Sequence, residues 1–186
     1  MVESIFQTGA EQSIADVLAN RDERVALQQE LAARYPGKTV VAIKLNIPGP
    51  IKNNQQLGRL FDTGLNQWRS RVTGAGLAVI DSVSWDKPTG REQFYVIDGK
   101  GDQLKHLAVE FEDQYEVGRL FDVDVLMALD GHLRALSRTN FGLPVRQCLL
   151  CERPAKDCAR SRRHSVEDLQ EAISTTYAGL FGGPIL

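Results

Sequence analysis

The stretch Gly118-Arg-Leu-Phe-Asp-Val-Asp-Val125 alternates apolar and polar residues behind a glycine, the period-2 signature of a half-buried β-strand. Phe121, Val123 and Val125 then face one side of a sheet, and Asp122 and Asp124 the other. Residues 39–46 repeat the pattern, with Val41, Ile43 and Leu45 alternating against Ala42, Lys44 and Asn46, until Pro48-Gly49-Pro50 stops the strand. Between these two strands the chain first reads as a helix from about 54 to 72, with Leu57, Leu60, Phe61, Leu65 and Trp68 on one side. Two strands over 77–85 and 93–97 follow, joined by the Lys87-Pro88-Thr89-Gly90 turn, and Leu104, Leu107, Ala108 and Phe111 then show helical spacing. The order is βαββαβ, and Asp130-Gly131 predicts a hairpin that adds one more strand. This pattern points to an α+β class with a ferredoxin-like split βαβ core, in which the first and last strands are neighbours. Lys44 and Asn46 are then expected on the same face as Asp122 and Asp124.

Outside that core, Ser13 with Asp16 resembles a helix cap. Ile14, Val17, Leu18, Val25, Leu27 and Leu31 supply the expected apolar face of an N-terminal helix reaching Pro36-Gly37. A Cys/Arg-rich segment leads to Ser165 and Asp168, a second cap pair that opens a final helix to about Tyr177. The 186 residues suit one domain spanning 1–186, without a linker. A net charge of −2 argues against a general nucleic-acid partner and makes any anion site local. No apolar run approaches membrane-spanning length, and neither a signal-peptide core nor a disulfide framework is evident among the three cysteines. Reduced thiols in the cytoplasm are expected.

Two adjacent carboxylates repel unless a cation or solvent relieves them, so Asp122 and Asp124 suit a Mg²⁺ that also grips substrate phosphates. The same spacing fits an outward strand face of solvated acids. Arg119 suits a phosphate, or a structural ion pair with those acids. Asn46-Ile-Pro-Gly-Pro-Ile-Lys52 joins a strand to a helix. Its backbone N–H groups and Lys52 could cradle phosphate oxygens, although it lacks Walker A glycine spacing. Cys148-x2-Cys151-x6-Cys158-x5-His164 carries ligand types for a tetrahedral Zn²⁺ site. Plain buried thiols are the alternative, and His164 could instead serve as a general base or contact phosphate. Of Arg146, Arg153, Arg160, Arg162 and Arg163, some must be surface charges. His106 and His132 belong to no motif.

Three of these segments in this order carry a resemblance: Asn46–Lys52, Gly118–Val125, and Arg146-Gln-Cys-Leu-Leu-Cys151 continuing through Cys158-Ala-Arg-Ser-Arg-Arg-His164. With the Leu18-Ala-Asn-Arg-Asp-Glu-Arg24 helix, the chain resembles the apo-citrate lyase phosphoribosyl-dephospho-CoA transferase (holo-citrate lyase synthase) family over most of its length. The resemblance implies transfer of phosphoribosyl-dephospho-CoA from triphosphoribosyl-dephospho-CoA to a serine of the citrate lyase acyl carrier protein (gamma chain), with diphosphate released. Residue roles come from the chemistry instead. Asp122 and Asp124 hold Mg²⁺, one of them or His164 acts as base, and Lys52, Arg119, Arg146 and Arg160 grip the triphosphate that Lys44 and Asn46 orient. Two other classes fit the same residues: a different metal-dependent nucleotidyl or phosphoryl transferase, and a non-enzymatic zinc-stabilised binding module.

Overall fold

A computed structural model describes residues 2–129 and 132–182. Helix α1 (Ile14–Arg34) opens on a capping box, in which the Ser13 hydroxyl accepts the Asp16 N–H and the Asp16 carboxylate accepts the Ser13 N–H. Strand β1 (Thr39–Leu45) leads through the proline-rich turn to α2 (Gln55–Gly74), capped by the Asn54 side chain. Strands β2 (Ala78–Lys87) and β3 (Gly90–Asp98) form a hairpin, followed by α3 (Gly101–Gln114). A 3-10 turn at Gly118–Leu120 enters β4 (Phe121–Leu129), which pairs with β5 (His132–Ala135). The expected Asp130-Gly131 turn lies outside the described residues. The short α4 (Ala155–Ser161) and α5 (Val166–Phe181) complete the chain, and Ser165 with Asp168 caps α5 in a second capping box.

The architecture is α+β, built on one antiparallel sheet in the order β2-β3-β1-β4-β5. Central β1 pairs on one side with β3 and on the other with β4, in a register that sets Lys44 opposite Asp122 and Ala42 opposite Asp124. Alternation then sorts the two faces. Val41, Ile43, Tyr95, Ile97, Phe121, Val123 and Val125 turn into the larger core, with α2, α3 and α5 packed over them. There the Phe121 ring stacks on Phe61 and meets Phe111 edge-on. The approach is so close that a Cβ on Gly118 would stand 1.9 Å from the Phe111 carbonyl oxygen. Glycine at the head of the motif is a packing requirement of the α3–β4 corner.

Helix α1 lies over the opposite face and corrects the apolar stripe read from its sequence. Ile14 is 82 % exposed, and Val17, Leu18 and Val25 are also exposed, while Leu31 is buried along with polar Asn20 and Gln28. The receiving surface explains this. Val40, Ala42, Phe94, Val96 and Leu126 make one end of that face apolar and accept Leu31 and Leu27. Lys44, Glu92, Asp122 and Asp124 make the other end charged, and the first half of α1 meets it with Asn20 and Arg24. A helix on a charged surface buries its polar residues wherever each finds a partner.

Candidate active site

Strand alternation and the β1–β4 register bring Lys44, Asp122 and Asp124 together beneath α1. The Lys44 ammonium pairs with Asp122 and lies 3.5 Å from Asp124 Oδ2. Both carboxylates keep access to solvent, with side chains 42 % and 38 % exposed. Burial alone would raise the Asp122 carboxyl. The charge and hydrogen bond of Lys44, together with Arg146 and Lys105, outweigh that and hold it below the usual carboxylate range. Desolvation would likewise lower Lys44, but Asp122 and Asp124 outweigh it and raise the ammonium above its ordinary value.

Two buried acids frame this cluster. Glu92 accepts Asn20 Nδ2 at 2.6 Å and both Arg24 Nε and Nη2, at 2.5 and 2.8 Å. On the other side of the sheet, Glu112 of α3 accepts the Val123 N–H at 2.7 Å, between the two aspartates, and Arg138 Nη2 at 2.5 Å. Burial pushes the Glu112 carboxyl up despite Arg146 and Arg138 nearby. Arg146 donates to the Phe121 carbonyl at 2.6 Å and the Arg119 carbonyl at 2.8 Å, and stands 4.0 Å from Asp122 Oδ1. It thus clamps the start of β4 while presenting positive charge beside the carboxylates.

The Cys148, Cys151, Cys158 and His164 donor atoms all lie within 4.8 Å of one another, so this cluster could hold a metal ion such as zinc. Cys151 and Cys158 sulfurs are 3.5 Å apart, and His164 Nε2 is 3.4 Å from Cys151 Sγ. The Arg153 backbone N–H and His164 pull the Cys151 thiol down to about 6, whereas burial and the neighbouring sulfurs push Cys158 up to about 11. Backbone bonds from Cys148 N–H to the Arg153 carbonyl and from Ala155 N–H to the Arg146 carbonyl, both 2.8 Å, close the loop carrying the first two cysteines.

Two clefts meet at Asn46. One, of about 550 Å³, is lined by Arg119, Arg146, Arg162 and His164 together with Cys148 and Cys158. The other, of about 330 Å³, lies between α1 and the sheet and is lined by Arg21, Arg24, Lys44, Lys52 and Arg91. Arg119 is turned onto the cysteine loop, donating to the Cys148 carbonyl at 3.0 Å, and makes no ion pair with Asp122 or Asp124. Lys52 donates to the Ile47 carbonyl of its own turn at 2.5 Å, and burial lowers its ammonium. Arg160 is exposed on α4 and lines neither cleft. Asn20 and Arg24 lie in the Leu18–Arg24 stretch that contributes to the resemblance, but the sequence assigned no role to them, to their partner Glu92 or to Glu112. The i, i+4 spacing of Asn20 and Arg24 was the available signal for one shared polar helix face.

Comparison with known proteins agrees with the motif resemblance. A family model described as apo-citrate lyase phosphoribosyl-dephospho-CoA transferase matches residues 12–179. A Streptococcus pyogenes serotype M18 protein named probable apo-citrate lyase phosphoribosyl-dephospho-CoA transferase is 33 % identical over 181 residues, covering 97 % of this chain and 93 % of its own. The Citrobacter koseri protein named apo-citrate lyase phosphoribosyl-dephospho-CoA transferase is 37 % identical over 157 residues, 84 % of either chain. A protein of the same name from Escherichia coli O1:K1 / APEC is 36 % identical over the same length, again 84 % of each chain.

Proposed function

The chain belongs to the apo-citrate lyase phosphoribosyl-dephospho-CoA transferase family, and from that premise we propose its reaction and the residues that perform it. It is a transferase that moves phosphoribosyl-dephospho-CoA from triphosphoribosyl-dephospho-CoA to a serine of the apo-acyl carrier protein (gamma chain) of citrate lyase. The serine oxygen forms a bond to the phosphorus beside the ribose, the bond from that phosphorus to diphosphate breaks, and the serine proton passes to a base. The observation that carries this reading is the placement of Asp122, Asp124 and Lys44 on one solvent-reached patch, near two arginine-bearing clefts.

The carboxylate oxygens are hard donors that fit Mg²⁺, and Asp122 and Asp124 would hold it. When bound, that ion supplies charge neutralisation on the triphosphate and on departing diphosphate. Lys44 holds Asp122 ionised and offers a cation to phosphate oxygens. Arg146, fixed by two carbonyls, adds a preorganised positive charge next to Asp122. Lys52, Asn46 and Arg119 line the two clefts and orient the donor, whereas Arg160 lines neither. His164 is directed at Cys151, so an aspartate takes the serine proton. The strand order β2-β3-β1-β4 supports assignment of the core to the ferredoxin-like split βαβ class, with β5 added at the edge.

Incubating apo-carrier protein with this chain, Mg²⁺ and the donor should add the prosthetic-group mass to the carrier serine, with one diphosphate released per transfer. A carrier that stays unmodified overturns the reading. Among the described residues no helix is long and apolar enough to cross a membrane.

A further inference from the structure

We propose that Cys148, Cys151, Cys158 and His164 form a closed tetrahedral Zn²⁺ site that braces the arginines of the adjoining cleft. The donor geometry carries the site. With Zn–S near 2.3 Å and Zn–N near 2.0 Å, a tetrahedron has S–S edges of about 3.8 Å and S–N edges of about 3.5 Å. The structure has 3.5 Å for Cys151–Cys158 and 3.4 Å for His164–Cys151, and the whole set lies within 4.8 Å. All three cysteines are free thiols. Three soft sulfurs and an imidazole select zinc over the hard cations that suit Asp122 and Asp124. Four protein ligands leave no open position, so the ion is structural and takes no part in the transfer chemistry.

A second observation is independent of those distances. Arg162 has φ 45°, the only positive φ of a non-glycine residue among the described residues. It ends α4, which carries Cys158, and turns the chain back so that His164 reaches Cys151. An arginine has no local preference for the left-handed region, so the reversal is held by what closes behind it.

The consequence for the cleft rests on the transferase reading. The Cys148 carbonyl holds Arg119, and the Arg146 carbonyl is tied to Ala155 at the start of α4. Releasing the metal would loosen the loop that fixes both arginines.

Purified full-length chain, never exposed to chelator, should contain close to one zinc by elemental analysis. Exchange with cobalt should give the visible absorption of a tetrahedral thiolate site. Chelation should lower the melting temperature, and Cys151→Ser should bind no cobalt. If that variant does not fold, the cobalt spectrum and chelation of the wild type decide alone. Fresh protein without zinc that also develops no cobalt spectrum overturns the site, as do three reactive native thiols with melting unaffected by chelator. Below its lowered melting point, stripped enzyme should show a donor KM raised about fivefold or more, and an unchanged KM overturns the bracing role. Metal content is read without turnover. A zinc-loaded chain that leaves the carrier unmodified therefore supports the site while refuting the transfer.

Discussion

Replacing Gly118 by alanine tests whether the α3–β4 corner sets the position of the carboxylates. The new Cβ would stand 1.9 Å from the Phe111 carbonyl oxygen and 2.9 Å from its carbon, where ordinary contact begins at 3.4 Å. The obstacle is helix backbone, so the turn must move away by about 1.5 Å (3.4 − 1.9). Overpacking of that kind costs about 3 kcal/mol, which for a chain of this length lowers the melting temperature by about 6–12 °C. The displaced turn carries the Leu120 carbonyl that accepts Asn46 N–H and the Arg119 carbonyl that accepts Arg146. Asp122 follows two residues later. Misplacing reacting groups by about 1 Å can cost about 10²-fold in rate, so turnover should fall more than stability alone explains. Thermal melts and carrier-modification rates at a temperature where the variant is folded provide the readouts. Gly74→Ala is the control, because nothing lies within 4 Å of its Cβ, and its effect should stay within about 1 kcal/mol. A Gly118→Ala protein that melts within about 2 °C of wild type with unchanged turnover would refute the reasoning.

Asp122→Asn and Asp124→Asn should fold yet lose about 10²-fold or more in turnover, and a folded double variant with near-normal transfer removes both from the mechanism. The folded chain holds the Asp122 carboxyl below its ordinary value, so that carboxylate adds stability above its unfolded value near about 4 and loses it as pH falls through the folded value. Denaturant titrations of wild type and Asp122→Asn should therefore show a constant gap around neutral pH that narrows in acid, and a gap that widens there contradicts the assignment. Arg24→Ala leaves buried Glu92 with Asn20 as its remaining side-chain partner and should cost about 3 kcal/mol, measurable by urea unfolding. A loss below about 0.5 kcal/mol would show that α1 is held by its apolar half alone.

Local signals along the amino-acid sequence mark the main elements and most of their order. Period-2 runs marked β1 and β4, serine–aspartate pairs marked the starts of α1 and α5, and a proline-glycine turn marked the β2–β3 hairpin. Alternation along β1 and β4 was also enough to put Lys44 on one face with Asp122 and Asp124 once the strands were taken as neighbours. The three cysteines and His164 could be grouped because only sixteen positions (164 − 148) separate the first from the last. Tertiary structure alone decided what faces what across long separations. The face of α1 depends on whether the sheet beneath it is apolar or charged, and apolar counting along the helix cannot register Glu92, 68 positions after Arg24. The choice of Arg162 over Arg160 for the cleft depends on one left-handed residue at the end of α4. Glu112 reaches the backbone between the two aspartates because α3 packs under β4. Glu92 and Glu112 are placed by partners that folding brings to them, and the chain's local pattern carries no record of those partners.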